Sequence, residues 1–379
     1  MILINTFLFI LIIIYCGVLI WLIFGNLKSY KNRANARYRP VSVIISIRNG
    51  EDALPDLIQD LLSQDYKGEY EVILVDDDSD DDTANIIKEI SKQDNHFIFQ
   101  SSSKGKSSLQ FKKRALDAGI EIAKHEWLLF SDVDCRLPSS WITGMASYFQ
   151  PDNDYVIGHS NVKMGNKILN IFQSLDFFLL LVSARGAANL HCALACTGQN
   201  QAYRKSLYVN VGGFIRIKDQ LQGDDSLFMN ICKKWGKARI IFADDSKCHV
   251  YSRKEKKWLP LLIQRLRWSG DANVMWNVNL GFYVILCGFF LLHFKLMILF
   301  FFSIFNYQLF LLLATYLLIK FIFEFSLYIV GCQYLQNSTN FFKFLIWYFI
   351  HIPYVAIIGI ASFFHKKIEW KGRKINYSN

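Results

Sequence analysis

Two clusters of carboxylates stand where apolar runs end. Ser131-Asp132-Val133-Asp134 follows WLLF, and Asp76-Asp77-Asp78, with Ser79 and Asp80 to Asp82, follows EVILV. Two carboxylates one residue apart at a strand end can share a divalent cation, or divide metal and sugar contacts between them. Mg²⁺ and Mn²⁺ take such oxygen ligands and bridge to substrate phosphates. A solvated acidic turn is the plain alternative for a DxD string, and the position directly after a buried run favours chemistry. The 76–82 cluster packs like charges that destabilise the fold unless cations or donors compensate. Some of its carboxylates therefore face a ligand such as a nucleoside, while the later ones, with Thr83, suit a helix N-cap. Taken alone, Asp224-Asp225 also reads as a helix cap. Gln264-Arg265-Leu266-Arg267-Trp268 alone reads as a basic amphipathic helix at a membrane surface.

These residues need a scaffold, and the sequence describes one. VSVIISI (41–47), EVILVD (71–76), HFIFQ (96–100) and WLLFSD (127–132) have the apolar composition of buried strands. Helical patterns intervene: Leu54, Leu57, Ile58, Leu61 and Leu62, then Thr83 to Ile90, then about 107–124. Apolar strands alternating with helices predict an α/β fold, a mostly parallel sheet covered on both faces. Ligands of such sheets bind beyond the carboxyl ends of the strands, where the acidic clusters lie.

The rest of the chain is of another kind. Its hydrophobic fraction is 52% and its mean hydropathy +0.20, with the excess in residues 2–24 and 280–364. The first block carries no charge and exceeds the ~20 residues that cross a bilayer. It lacks the basic start and small-residue cleavage site of a signal peptide. Lys28, Lys31, Arg33, Arg37 and Arg39 follow it, which places the next domain in the cytosol by the positive-inside rule. Apolar blocks near 280–304, 308–330 and 341–364 predict two to three C-terminal spans. Lys320 and Glu324 interrupt the second at a spacing that lets them pair. One anchor and three spans put the basic tail outside, so one block is expected to be re-entrant, with His351 and Pro353 marking the last. Residues 166–190 are apolar but broken by Asp176 and Arg185, and predict a helix at the interface or packed on the domain. The net charge of +10 sits largely in clusters at 28–39, 253–267 and 366–374, which suit anionic headgroups rather than nucleic acid. The eight cysteines form no CxxC pair, and His191, Cys192 and Cys196 lack the second half of a zinc site.

In register, these elements resemble the inverting glycosyltransferases of family 2, which have the GT-A nucleotide-sugar fold. The likeness runs over about 40–275: VSVIISIRNGED, VDDDS with Asp78 in place of the usual glycine, Lys112-Lys113-Arg114-Ala115-Leu116, and DVDCRLP. It continues with Gly198 to Lys205, Gly223-Asp224-Asp225 and the QxxRW string Gln264 to Trp268. The flanking apolar blocks resemble the membrane-bound branch, which includes polysaccharide synthases and ceramide glucosyltransferases. The resemblance implies that Asp76 and Asp77 hold the nucleoside and that Arg48 and Lys112 approach the donor. Asp132 and Asp134 contact the donor sugar and the metal, Mg²⁺ or Mn²⁺, with Asp134 as metal ligand. Asp225 is the implied general base. Gly198, Asn200, Asp224, Gln264, Arg267 and Trp268 serve the acceptor or the departing diphosphate, and Trp370 with Arg373 resembles a tail element of lipid-modifying relatives.

The expected organisation is a transmembrane anchor (1–26), a basic linker (27–39), a cytosolic GT-A domain (40–252), an interfacial segment (253–279), a C-terminal transmembrane region (280–365) and a basic tail (366–379). The expected activity is sugar transfer from a nucleotide-sugar, with UDP as default, to a lipid or lipid-linked acceptor at the inner membrane of the cell envelope. The rivals are a processive polysaccharide synthase, a catalytically inactive nucleotide-binding module, and a transporter. For the last, His293, Lys295, Lys320, Glu324 and His351 are sparse as a pathway.

Overall fold

The structure, a computed structural model, describes residues 2–28, 38–364, 367–370 and 373–376. Lys31, Arg33 and Arg37 of the linker lie outside the described residues, as do the tail side chains, Trp370 and Arg373 included. In chain order the principal elements begin with α1 (Ile2–Leu27), β1 (Val41–Ile47), α2 (Leu54–Leu62), β2 (Tyr70–Asp76), α3 (Thr83–Gln93) and β3 (Phe97–Ser101). There follow α4 (Phe111–Ile122), β4 (Trp127–Phe130), β5 (Tyr155–Gly158), α5 (Ile168–Asn189), β6 (Gln201–Arg204), α6 (Ser226–Trp235) and β7 (Ile240–Ala243). The last are α7 (Trp258–Val278), α8 (Leu280–Ser303), α9 (Tyr307–Tyr334) and α10 (Phe341–Phe364).

The chain divides into two units. One is built on a seven-stranded sheet of order β3-β2-β1-β4-β6-β5-β7. β1 is parallel to β2 and β4, and β2 to β3; β6 is antiparallel to both neighbours, and β5 is parallel to β7. Only β6 runs against the rest, so the sheet is mixed and mostly parallel. The β-branched runs that predicted strands bury completely: Val43, Ile45, Val72, Leu74 and Leu129 have no exposed area. The chain winds outward from β1 to β3 and then returns to the other side of β1 with β4. This reversal opens the ligand crevice of such sheets between β1 and β4. A small second sheet pairs Cys135–Arg136 and Ser160–Val162 with Val250–Ser252. It holds the chain directly after Asp134.

The other unit comprises α1, α5 and α7 to α10. Among the described residues, five helices are long and apolar enough to cross a membrane: α1, α5, α8, α9 and α10. The continuous expectation of a 40–252 domain is interrupted here, because residues 163–190 group with the helices and not with the sheet. Asp176 and Arg185 do not break the helix, since each finds a partner. Arg265 lies 3.2 Å from Asp176, and Arg185 donates to the Asn26 carbonyl at 2.7 Å. Both ends of α5 nevertheless lead into strands of the sheet unit, Ser160–Val162 before it and β6 after it.

Lys320 and Glu324 do pair, at 2.7 Å. The last helix bears on the re-entrant expectation. The Asn340 amide at its start donates to Tyr328 of α9 (2.9 Å), while Asn273 of α7 donates to the Ser362 carbonyl near its end (3.5 Å). α8 and α9 form a hairpin through Ile304–Asn306, so the α7–α8 junction and the end of α9 lie at the same end of that hairpin. Phe363 near its end stands against Phe290 in the middle of α8 (6.4 Å), and the length of α10 permits a crossing.

Candidate active site

β1, β2 and β4 end together, with Ile47 paired to Asp76. Arg48, the next residue, is buried and donates to the Asp77 carbonyl (3.0 Å), the Asp78 carbonyl and the Asp80 carboxylate (2.9 Å). Arg48, expected to approach the donor, braces the acidic turn through these contacts. Asn49 and Asp78 adopt left-handed backbone, at φ 47° and 57°. Short polar side chains tolerate that region, so Asp78 serves where a glycine was expected. The Asn49 side-chain oxygen accepts from the Asp80 amide (2.9 Å), and Thr83 accepts from the Gly50 amide (2.9 Å). The turn is thereby fixed with Asp76 and Asp77 buried at the strand end. Asp76 accepts from the Ser79 amide at 3.2 Å.

A second group gathers across the crevice. α4 presents Lys112, whose ammonium lies 2.9 Å from Asp132 and 2.9 Å from Asp224. Asp225 caps α6, accepting from the Ser226 amide and from the Gly198 amide (3.3 Å). Gly198 itself lines the group: a Cβ there would lie 3.1 Å from the Lys112 nitrogen and 3.3 Å from an Asp224 oxygen. Ser131 donates to the Gln199 carbonyl (2.9 Å), which ties the DxD strand to the loop carrying Gly198.

The charges in this group set one another. Burial works against the ammonium of Lys112, but Asp132 and Asp224 outweigh it and hold the lysine protonated far above neutrality. Burial also works against the charge of Asp224, yet Lys112 prevails and keeps that carboxyl below its usual range. For Asp225, burial and the neighbouring Asp224 charge together push the carboxyl up to about 6. A carboxylate that takes up a proton near neutrality is what a general base requires.

The oxygen donors fit a divalent cation. Asp134 is exposed, and its carbonyl is pinned by the Arg253 amide (3.2 Å). Asp134, with Asp132 beside it, offers the hard ligands that Mg²⁺ and Mn²⁺ favour and leaves positions for phosphate oxygens. Asn200, expected near the acceptor, is fully buried and structural. It donates to the carbonyls of His159 (2.9 Å) and Cys248 (2.8 Å) and accepts from Trp141 (3.0 Å).

Gln264, Arg267 and Trp268 belong to α7, in the helical unit. There Trp268 lies beneath the guanidinium of Arg265 (4.0 Å) and beside Phe177 (5.9 Å). The Arg265–Asp176 pair escaped the sequence reading. Its signal was present: a lone charge in an apolar helix needs a partner.

Residues 42–212 match the glycosyl transferase family 2. Poly-beta-1,6-N-acetyl-D-glucosamine synthase of Staphylococcus aureus strain MSSA476 is 25% identical over 175 residues, 45% of this chain and 41% of that protein. The synthase of Staphylococcus epidermidis is 26% identical over 176 residues, with the same shares. The chain thus spans about two fifths of the curated relatives that it matches. A mannosyltransferase of Pyrobaculum calidifontis, solved in complex with GDP-Man and Mn²⁺, superposes over 96% of this chain and 97% of its own. Its TM-score is 0.61 at 16% identity, a likeness of fold. Over residues 42–212 the chain therefore resembles the glycosyl transferase family 2, and its fold is GT-A.

Proposed function

We propose that the chain is an inverting glycosyltransferase that moves a sugar from a nucleotide diphosphate donor to a lipid or lipid-linked acceptor at the cytoplasmic face of a membrane. The observation that carries this reading is the Asp132–Lys112–Asp224 bridge beside Asp225, at the crevice of a GT-A fold. Asp225 takes the proton of the acceptor hydroxyl as that oxygen attacks the anomeric carbon. Lys112 keeps Asp224 charged and holds Asp132 in place, and Asp76 and Asp77 accept hydrogen bonds from the nucleoside. A divalent cation held by Asp134 would neutralise charge on the leaving diphosphate. In a single displacement no covalent nucleophile is needed. UDP is the expected nucleotide, and the apolar helices favour a lipid acceptor.

A processive synthase is the second reading, favoured by the polysaccharide synthases among the matched relatives. Both are tested with purified protein in nanodiscs, Mn²⁺ and a panel of UDP- and GDP-sugars. Nucleotide release is followed with and without lipid extract. Release stimulated by lipid and absent in Asp225→Asn supports single transfer to lipid, whereas long glycan products support the synthase. Failure to bind any nucleotide with metal present sinks both.

A further inference from the structure

Six histidine, lysine and glutamate residues are scattered through the last three apolar helices, and the fold brings four of them into one cluster. His293 of α8, Glu324 of α9 and His351 of α10 each turn a ligand atom to a common point, all within 4.8 Å of one another. All three are buried, His293 completely. Lys320 joins them through Glu324, at 2.7 Å, and the Tyr15 hydroxyl of α1 donates to the other Glu324 oxygen.

Two observations point to a ligand. The Nδ1 of His293 lies 2.7 Å from the Phe289 carbonyl, one turn back on the same helix. That contact places the proton on Nδ1 and leaves Nε2 with a lone pair to offer, the arrangement by which metal-bound histidines are oriented. Nε2 of His293 and Nδ1 of His351 are also buried without a hydrogen-bond partner among the described residues. Two unsatisfied nitrogens in an apolar helical unit cost free energy that a bound ion would recover.

We propose that His293, His351 and Glu324 form a structural site for a borderline divalent cation, of which zinc is the best match. Two imidazoles and one carboxylate suit zinc, unlike the all-oxygen set of Asp132 and Asp134, which suits Mg²⁺ or Mn²⁺. Ligand atoms around a tetrahedral zinc stand ~3.3 Å apart, so the cluster closes by small side-chain rotations on binding. Lys320 is the cation that the metal displaces. It leaves by rotating further over the ring of Tyr348, whose centroid already lies 4.5 Å from it, or by giving up its proton. The site ties α8, α9 and α10 together and, through Tyr15, α1. It is independent of sugar transfer.

The test uses the full chain in nanodiscs, stripped with chelator, loaded with Zn²⁺ in excess Mg²⁺, desalted and assayed by mass spectrometry. Wild type and Asp134→Ala are expected to retain about one zinc per chain. His293→Gln with His351→Gln should retain at least ~10-fold less, the usual cost of disturbing such a site. Cobalt loading of the wild type provides a readout that does not depend on the variants folding. Intense visible absorption of a four-coordinate site is expected. Zinc retained equally by the double variant, or wild type that holds neither zinc nor spectroscopically four-coordinate cobalt, overturns the proposal.

Discussion

The ammonium of Lys112 lies 2.9 Å from the carboxylate of Asp224, and this contact divides the roles of two adjacent carboxylates. Asp224 receives the cation and stays charged. Asp225, one residue on, receives its neighbour's negative charge and amide donors from Ser226 and Gly198. Without Lys112 the two would compete for a single proton.

Lys112→Met should therefore raise the protonation point of Asp225 further, since the lysine is among the influences that lower it. The acid limb of the rate profile should move to higher pH, with turnover down on the order of 10²-fold, the cost of losing one fixed charge in a site. A pH–rate series on the variant decides this; an unmoved limb separates Lys112 from Asp225.

With Asp225 at about 6, the base is protonated and inactive below that pH and competent above it. Transfer should rise through pH 6 and level off toward 7. Asp225→Asn should lower turnover by about 10²–10⁴-fold and leave metal-dependent nucleotide binding nearly intact. Calorimetry alongside the rate assay separates the two effects.

Gly198→Ala places a methyl group 3.1 Å from the Lys112 nitrogen and 3.3 Å from Asp224. The lysine end can yield by a few tenths of an ångström, so folding should survive while the bridge is displaced. A loss of ~10-fold in kcat/KM with little change in Tm is expected, because small misplacements in a site are expensive in rate. A large drop in Tm would show instead that the glycine serves the fold.

Asn200→Ala should behave in the opposite way. It strands two buried carbonyls and the Trp141 donor, at roughly 3 kcal/mol in stability. Thermal unfolding should show the loss, and residual folded enzyme should keep a near-normal KM.

A re-entrant α10, as the charge of the tail leads one to expect, has both its ends on one side of the membrane. Cysteines introduced as Thr339→Cys and Phe364→Cys, in a background freed of native cysteines, should react with an impermeant maleimide from the same side. Labelling from opposite sides would establish a crossing helix.

The sequence determined by itself the four strands from β1 to β4, the helices between them and the acidic strand ends. Buried strands and amphipathic helices are local patterns, readable wherever the chain alternates between them. Asp132, Asp134 and Asp225 were legible as candidates because motif spacing survives without coordinates. Arg48 and Asn200 were legible by type but not by role, because hydrogen bonds to backbone carbonyls leave no sequence trace. Long-range pairing was out of reach for the same reason. Lys112 meets Asp224 across more than a hundred residues, and Asp176 meets Arg265 from a different helix. His293, Glu324 and His351 are widely spaced along three apolar blocks, yet helix packing sets their donor atoms within 4.8 Å. Local periodicity reports which face of an element is apolar; which polar groups meet is decided when those faces pack.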